Sequence, residues 1–297
     1  MPEEIARVGD VELAYETFGA RSHPPLLLVM GLGTQMLGWR AQFCEQLSER
    51  GFFVVRYDNR DVGRSTKFAS HRPPTAAQLL RRDRKAAAYS LADMADDGIG
   101  LLDCLGLGSA HIVGASMGGM IAQTIAFRHP DRVLSLVSIM SNTGARWSGQ
   151  PSLSLYGTLL RRAPRDREGY IEHQMKVFAK TGSPGFPRDE ADLRQLATMS
   201  FARGHDPAGS GRQLAAIIAA PDRTKDLATI RVPTLVIHGD KDKLIAPSGG
   251  RATAKAIPGA RLMMIAGMGH DLPRPVWPRI IGAIADSAAL AQQRAAA

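Results

Sequence analysis

The sequence predicts an α/β fold, a mostly parallel twisted sheet with helices on both faces, and two observations support that prediction. Short apolar runs rich in β-branched residues alternate with amphipathic stretches along most of the 297 residues, which is the order of a doubly wound sheet. The runs are apolar at nearly every position, as expected of strands buried on both faces. Residues 141–228 break this alternation, since they contain no strand-like run.

The strands are expected in a clear order along the chain. A period-2 alternation over 11–17 follows Gly9-Asp10, which indicates the second arm of an antiparallel hairpin at one edge of the sheet. The other strand-like runs are 26–30, 52–57, 111–114, 133–140, 234–238 and 261–266.

Five stretches between these runs have apolar residues at helical spacing and predict the helices that cover the sheet. They are 39–50, 91–106, 117–129, 248–257 and 276–294.

The stretch 141–228 is expected to be a helical lid inserted between two strands of the core. It contains helix-like pieces separated by six prolines. Apolar spacings such as Leu155–Leu159 indicate amphipathic lid helices that face a pocket or the core. The expected organisation is therefore an α/β core of residues 1–140 and 229–297 with a helical lid or cap, residues 141–228, inserted between its strands.

Composition excludes several classes of protein. Apolar residues make up 44% and charged residues 22% of the chain, which are ordinary values for a globular domain. No run approaches the roughly 18 apolar residues of a membrane span, and the acidic start Met1-Pro2-Glu3-Glu4 is unlike a signal peptide. We therefore expect a cytoplasmic protein. Two cysteines, Cys44 and Cys104, lie in helix-like stretches, which predicts two buried, reduced thiols.

Basic residues exceed acidic ones, with a net charge of +9, and residues 60–85 alone carry eight basic and two acidic residues. No nucleic-acid motif accompanies them, so we expect a solvated face and no nucleic-acid partner. A narrower hypothesis joins this stretch to the lid, including Arg161 and Arg162, as a basic rim around an apolar slot. Such a rim would favour an anionic acyl ester or lipid, and peripheral contact with a membrane surface would be compatible with it.

A G-x-S-x-G motif, Gly114-Ala115-Ser116-Met117-Gly118, lies between a strand-like run and a helix-like stretch. Glycines on both sides of the serine allow the chain to turn sharply and expose its hydroxyl. The N-terminus of the following helix offers backbone N–H groups to a developing oxyanion. Ser116 is therefore the candidate nucleophile.

A serine nucleophile needs a base and a carboxylate. Among the eight histidines, His270 lies in a glycine-rich loop after the last strand-like run, at the edge where α/β sheets carry their chemistry. His111 and His238 are expected to be satisfied core residues. The acid should lie between serine and histidine in the chain; Asp240 and Asp242 both qualify, and spacing favours Asp242 only modestly.

These motifs resemble the α/β-hydrolase superfamily over essentially the whole chain. Three stretches, Leu27–Gly31, Gly38-Trp39 and Arg56–Thr66, are similar more specifically to bacterial carboxylesterases of the aclacinomycin (anthracycline) methylesterase-like branch. The resemblance implies the α/β-hydrolase fold with Asp242 as the acid. It also implies an oxyanion hole formed by the backbone N–H groups of Leu32 and Met117.

Two details of the resemblance bear on the site. Many members carry His-Gly where this chain has Met30-Gly31, a change that leaves the backbone donors in place and makes the pocket floor more apolar. Asp58 and Arg60 are expected to brace the loop below the oxyanion hole through local ion pairs rather than to take part in catalysis.

The resemblance implies a serine hydrolase that cleaves a carboxylic ester or thioester of a small molecule through an acyl-enzyme. Two alternatives stay open: a cofactor-free, haloperoxidase-like perhydrolase on the same residues, and a non-catalytic receptor that binds a small ligand. The chain has no metal-binding motif and no P-loop lysine, so neither a cofactor nor a metal is expected. The sequence leaves the oligomeric state open.

Overall fold

A mostly parallel sheet of eight strands forms the centre of the computed structural model, which describes residues 2–81, 83–155, 157 and 164–296. The strands are β1 Glu4–Val8, β2 Val11–Phe18, β3 Pro25–Val29, β4 Phe53–Tyr57, β5 Ala110–Ala115, β6 Val133–Ile139, β7 Thr234–Gly239 and β8 Arg261–Ile265. Their order across the sheet is β1-β2-β4-β3-β5-β6-β7-β8.

The first two strands form the antiparallel hairpin that the sequence predicts at one edge of the sheet. β1 pairs with β2, and β2 pairs with β4, in antiparallel register. All pairings from β4 through to β8 are parallel. The predicted strand-like runs are therefore confirmed as β2 to β8.

Helices cover both faces of this sheet. The described helices are α1 Ala41–Glu49, α2 Ala76–Leu80, α3 Leu91–Cys104, α4 Met117–Arg128, α5 Arg167–Thr181, α6 Glu190–Arg203, α7 Pro207–Ala219, α8 Thr224–Leu227, α9 Pro247–Ala256 and α10 Trp277–Ala296. The five helices predicted from the sequence are confirmed as α1, α3, α4, α9 and α10.

The strands are buried on both faces, as their apolar runs predict. In β3, Leu27 and Val29 belong to the hydrophobic layer that includes side chains of α3 and α4. The alternate residues Leu26 and Leu28 belong to the layer that includes side chains of α1 and α10. This period-2 distribution is what a central strand requires, and it fixes β3 and β5 rigidly beneath the loops that follow them.

Residues 141–228, here called the inserted segment, connect β6 to its parallel neighbour β7. The described part of this segment contains α5 to α8 and a short 3-10 turn at Leu153–Leu155, and no strand. To that extent the segment is helical. Leu159, Arg161 and Arg162, which the sequence analysis assigned to the lid, lie outside the described residues.

The two cysteines differ in their surroundings. Cys44 is buried in the layer between α1 and the sheet, as predicted. Cys104 is exposed, so the prediction of a second buried thiol is wrong. The physical reason is its position: the last turn of α3 buries Leu101, Leu102 and the following Leu105, and Cys104 lies with Asp103 on the exposed side. None of the described helices is long and apolar enough to span a membrane.

Candidate active site

A sharp turn between β5 and α4 carries Ser116. The residue has φ 58° and ψ −121°, a conformation that non-glycine residues rarely adopt, and its N–H donates to the Ile139 carbonyl at 2.9 Å. The flanking glycines are required by space. A Cβ at Gly114 would lie 2.0 Å from the Gly118 carbonyl oxygen, and one at Gly118 would lie 2.1 Å from that of Val29. The turn therefore needs the glycine spacing that the motif supplies.

Three side chains from three separate loops form a hydrogen-bonded chain at this turn. His270 Nε2 lies 3.0 Å from Ser116 Oγ, and His270 Nδ1 lies 2.7 Å from Asp242 Oδ2. The structure thus brings together Ser116, Asp242 and His270, the three side chains singled out from the sequence. An imidazole between a hydroxyl and a carboxylate can accept the hydroxyl proton while the carboxylate supports the resulting charge.

The inserted segment holds the loop that carries His270. The backbone N–H of His270 donates to the Thr181 carbonyl at 2.7 Å, and that of Gly269 donates to Ser183 Oγ at 2.8 Å. Thr181 is the last residue of α5. The position of the imidazole therefore depends on the end of α5 as well as on β8.

Asp242 is buried, and both of its carboxylate oxygens have hydrogen-bond partners. Its Oδ1 accepts from the backbone N–H groups of Leu244 and Ile245, both at 2.9 Å. Burial opposes ionisation, but the attraction of His270 and the hydrogen bonds from His238 and His270 outweigh it and hold the pKa of Asp242 well below its usual range. The carboxylate is thus fixed in orientation and in charge.

His238 is a neighbour of Asp242 that the sequence analysis treated only as a core residue. It is fully buried, and its Nε2 lies 2.9 Å from the Ile245 carbonyl oxygen and 3.4 Å from Asp242 Oδ2. The signal that could have identified it is the i, i+4 spacing of His238 and Asp242 around the turn after β7.

Asp240, the other acid considered, has a structural contact instead. Its Oδ1 accepts from the Gly267 N–H at 2.7 Å, which ties the turn after β7 to the turn after β8. Asp240 therefore supports the two turns.

The two expected oxyanion donors border the same space as Ser116. Leu32 follows Gly31, and a Cβ on Gly31 would lie 3.0 Å from Ser116 Cβ, so the backbone passes close to the serine. Met117 is the first residue of α4, where a backbone N–H has no acceptor within the helix. Both residues line the cavity at Ser116, an arrangement suited to backbone donation.

Asp58 and Arg60 make ion pairs, as predicted, but their partners are remote in sequence rather than local. Asp58 accepts from Arg203 of α6 at 2.8 Å, and Arg60 makes two contacts of 2.6 Å with Asp97 of α3. Asp58, Arg60 and Asp97 are buried, and the two ion pairs join this loop to α3 and to the inserted segment. Neither pair reaches the serine.

A large cavity of about 2300 Å³ opens above Ser116 and His270. This volume exceeds the roughly 300–1,000 Å³ of common small-molecule pockets. Much of its wall is apolar and comes from both the core and the inserted segment: Met30, Trp39, Phe43, Met140, Leu155, Tyr170, Val177, Leu193, Leu196 and Leu214. The site can therefore take a bulky, mainly apolar molecule.

The basic stretch 60–85 contributes little to this cavity. Arg64 pairs with Glu3 at 3.4 Å, and the Lys67 ammonium donates to the carbonyl oxygens of Gly63 and Ser65. Of the basic residues of 60–85 that the structure describes, Arg72 alone lines the cavity.

Across the described part of the chain, no group of three or more His, Cys, Asp or Glu side chains could hold a metal ion.

Comparison with known proteins agrees with this architecture. A family model described as alpha/beta hydrolase fold matches residues 24–273. Rhodomycin D methylesterase DauP of Streptomyces sp. (strain C5) is 29% identical, over 96% of this chain and 97% of its own. The 3-oxoadipate enol-lactonase 2 of Acinetobacter baylyi is 27% identical, over 82% of this chain and 80% of its own.

A solved structure shares the whole architecture. The enol-lactonase from Burkholderia xenovorans LB400 superposes with a TM-score of 0.72 and 26% identity, covering 96% of this chain and 99% of that one. Together with the family match over most of the chain, this likeness identifies the fold and its lineage. The chain belongs to the alpha/beta hydrolase family.

Proposed function

We propose that this carboxylic ester hydrolase acts through a Ser116–His270–Asp242 triad and a covalent acyl-enzyme. The observation that carries the proposal is the continuous hydrogen-bonded chain, 3.0 Å from Ser116 Oγ to His270 Nε2 and 2.7 Å from His270 Nδ1 to Asp242 Oδ2. The similarity to a protein named as a methylesterase supports an ester as the substrate.

In the first half of the reaction, Ser116 Oγ attacks the ester carbonyl carbon while His270 Nε2 takes the hydroxyl proton. The carbonyl oxygen becomes an oxyanion, which the backbone N–H groups of Leu32 and Met117 stabilise. His270 then gives its proton to the alcohol oxygen as the carbon–oxygen bond breaks. Asp242 stabilises the imidazolium throughout, because its lowered pKa keeps it ionised.

Water completes the cycle. His270 takes a proton from a water molecule that attacks the acyl carbon, a second oxyanion forms in the same place, and Ser116 leaves with the proton returned by His270. The products are the free acid and the alcohol, and the side chains regain their starting protonation states.

The inserted segment acts as the lid that the sequence predicted, over a core of residues 1–140 and 229–297. Two observations support this role: helices of the segment supply much of the cavity wall, and Thr181 positions the His270 loop. The size of the cavity favours esters of bulky acids, with methyl esters among them in view of the methylesterase relative.

The test combines active-site labelling with turnover. A fluorophosphonate probe should label the wild-type protein at Ser116, and p-nitrophenyl and methyl esters should be hydrolysed with release of the acid. The Ser116→Ala variant should show neither labelling nor turnover. Binding of these esters to the wild-type protein without turnover would contradict the proposal and identify a ligand-binding protein instead.

A further inference from the structure

Arg223 is a buried cation in the wall of the cavity. It lies between α7 and α8 in the inserted segment, with 3% of its surface exposed, and it lines the same cavity as Ser116. Its Nε donates to Gln123 Oε1 at 3.4 Å and its Nη2 to the Asn142 carbonyl oxygen at 2.8 Å. Both acceptors are uncharged, so these bonds orient the guanidinium without neutralising it.

Other arginines of this region with at most 10% of the side chain exposed each have a carboxylate partner. Arg60 pairs with Asp97, Arg203 with Asp58, and Arg212 with Asp61. No carboxylate oxygen of the described residues lies within ion-pair distance of Arg223. Within the same part of the chain, Arg223 Nη1 has no hydrogen-bond acceptor. A buried charge without a counter-charge is costly to a folded protein, so Arg223 is suited to a partner that arrives with the ligand.

Burial has a measurable consequence for this group. Desolvation lowers the pKa of Arg223 to about 10, and the more distant acids Asp222 and Asp226 offset only part of the effect. The guanidinium therefore stays charged at neutral pH while lacking a close counter-ion.

The contacts of Arg223 also locate it relative to the serine turn. Gln123 lies six residues after Met117 on α4, so at 1.5 Å per residue it is about 9 Å along the helix axis from the serine turn. Asn142 follows β6, whose Ile139 carbonyl accepts the Ser116 N–H. Arg223 therefore contacts α4 less than two helical turns from the serine turn, on the wall of the cavity that Ser116 also lines.

We propose that Arg223 binds an ionised carboxylate of the substrate, so that the preferred esters carry a second, free acid group in their acid part. This proposal rests on the ester hydrolysis proposed above. The acid part is the natural place for the charge, because an alcohol as small as methanol has no room for it. The proposal differs from the basic rim expected from the sequence, since one buried cation is responsible rather than many exposed ones.

Matched substrates test this directly in the wild-type enzyme. Monomethyl esters of linear dicarboxylic acids of increasing length are compared with esters of the same length in which the free carboxylate is a carboxamide. At the best length, kcat/KM for the carboxylate should exceed that for the carboxamide by roughly tenfold or more, the size of effect expected for a desolvated charge pair.

Salt separates a buried cation from an exposed rim. Raising the salt concentration shortens the Debye length from about 10 Å at 0.1 M to about 3 Å at 1 M, which screens exposed charges far more than buried ones. The preference for the carboxylate should therefore persist at high salt. A preference that disappears with salt would overturn the assignment to Arg223.

Variants then locate the preference. Arg223→Gln should reduce the carboxylate-to-carboxamide ratio to near one, and Arg223→Lys should retain part of it. Arg72→Gln is the matched control, because Arg72 is an exposed arginine on the same cavity; it should leave the ratio close to the wild-type value. An equal loss in Arg72→Gln would overturn the proposal.

The outcomes distinguish this proposal from the proposed function. Equal turnover of carboxylate and carboxamide esters by the wild type would overturn the role of Arg223 and leave ester hydrolysis intact. Turnover of neither ester would count against both. Circular dichroism and thermal melting establish whether Arg223→Gln is folded; if it is not, the salt dependence of the wild-type ratio decides.

Discussion

Asp242 shows how a single residue combines position and charge. Both its oxygens accept hydrogen bonds, Oδ1 from two backbone N–H groups and Oδ2 from His270, and its pKa is lowered despite burial. A carboxyl whose folded-state pKa is lowered stays ionised until the pH falls below its ordinary range. Loss of activity in mild acid should therefore not reflect protonation of Asp242.

Substitutions in the proposed triad should separate the three roles. Ser116→Ala and His270→Ala should each lower kcat by roughly 10⁴-fold or more, because nucleophile and base act as a unit. Asp242→Asn should cost less than either but still strongly, since the amide can neither fix the tautomer nor stabilise the imidazolium. Steady-state kinetics on a p-nitrophenyl ester, with circular dichroism to verify folding, provide the measurement.

Asp240→Asn is the matched control for that series. The amide oxygen can still accept the Gly267 N–H that Asp240 binds at 2.7 Å, so kcat should change only slightly. A crippling effect of Asp240→Asn beside a mild effect of Asp242→Asn would reverse the assignment of the acid.

Local sequence patterns identify the residues proposed to take part in the reaction, but not the residues that surround them. Ser116 and His270 are recognisable because glycines and strand-like runs flank them. The choice of Asp242 over Asp240 depended on the family resemblance, since the two are separated by one residue and only the folded turn shows which faces His270. Arg223 carries no such signal, because its burial and its neutral neighbours come from contacts made across the fold.

At the scale of elements, the order of strands and helices in the core could be predicted almost completely. Continuous apolar runs in β3 to β7 reflect burial on both faces, and helical spacing in α1, α3, α9 and α10 reflects burial on one. The helix α4 is buried at every residue from Met117 to Ala126. The inserted segment was predicted only as helical. Its helices line a cavity and pack on each other rather than on the sheet. The apolar spacing in their sequences therefore does not indicate their positions in the fold.

The close approach of α4 to β3 should make Gly118 intolerant of any side chain. A Cβ there would lie 2.1 Å from the Val29 carbonyl oxygen, and both elements are buried and cannot separate. Gly118→Ala should therefore lower the free energy of unfolding by about 3 kcal/mol or more. Gly108→Ala, where nothing lies within 4 Å, should change it by less than about 1 kcal/mol. Urea denaturation of both variants gives the comparison, and similar stabilities would refute the close contact.

β5 contains a buried histidine that should make the fold sensitive to acid. Burial lowers the pKa of His111 to about 4, below the roughly 6.5 of an unfolded histidine. As the pH falls from about 6.5 to about 4, His111 binds a proton in the unfolded chain but not in the folded chain. The free energy of unfolding therefore decreases by up to about 3 kcal/mol. Above pH 6.5 this contribution is absent.

His111→Gln removes the titrating group and should flatten this part of the stability–pH curve. His129→Gln, at a half-buried surface histidine paired with Asp96, is the control and should leave the slope produced by His111 in place. Chemical denaturation at several pH values measures both. An unchanged slope in His111→Gln would show that other groups cause the acid sensitivity.

For the molecule as a whole, buried ion pairs join the inserted segment to the core. Arg212 of α7 makes two contacts with Asp61, at 2.8 and 2.6 Å, and both side chains are almost fully buried. Arg212→Leu leaves the Asp61 charge buried without its partner, which should cost about 3–5 kcal/mol of stability. Arg194→Ala, which breaks an exposed pair with Glu172, should cost less than about 1 kcal/mol. Equal costs would mean that the Asp61 pair is not a buried anchor.

The cavity enclosed between these two parts should set the size of the substrate. At about 2300 Å³ it is larger than the roughly 1,000 Å³ that a drug-sized ligand commonly requires, so a small ester leaves most of the wall uncovered and gains little binding energy. Among neutral methyl esters, kcat/KM should therefore rise as the acid part grows from acetate to fused aromatic acids. We attribute this rise in kcat/KM to contacts with the apolar wall, because buried apolar area contributes about 25 cal/mol per Å² to the binding free energy.

A larger side chain in the part of the cavity wall formed by the inserted segment should weaken the preference for large acids. Leu196 lines the cavity from α6, and Leu196→Trp adds volume there without adding charge. The ratio of kcat/KM for a fused aromatic ester to that for methyl acetate should fall by roughly tenfold or more, since overpacking a binding wall costs about 1–3 kcal/mol for a ligand that must displace it. Leu290→Trp, on the exposed side of α10, should leave the ratio unchanged. A size preference that survives Leu196→Trp would mean that large acids bind outside the wall formed by α6.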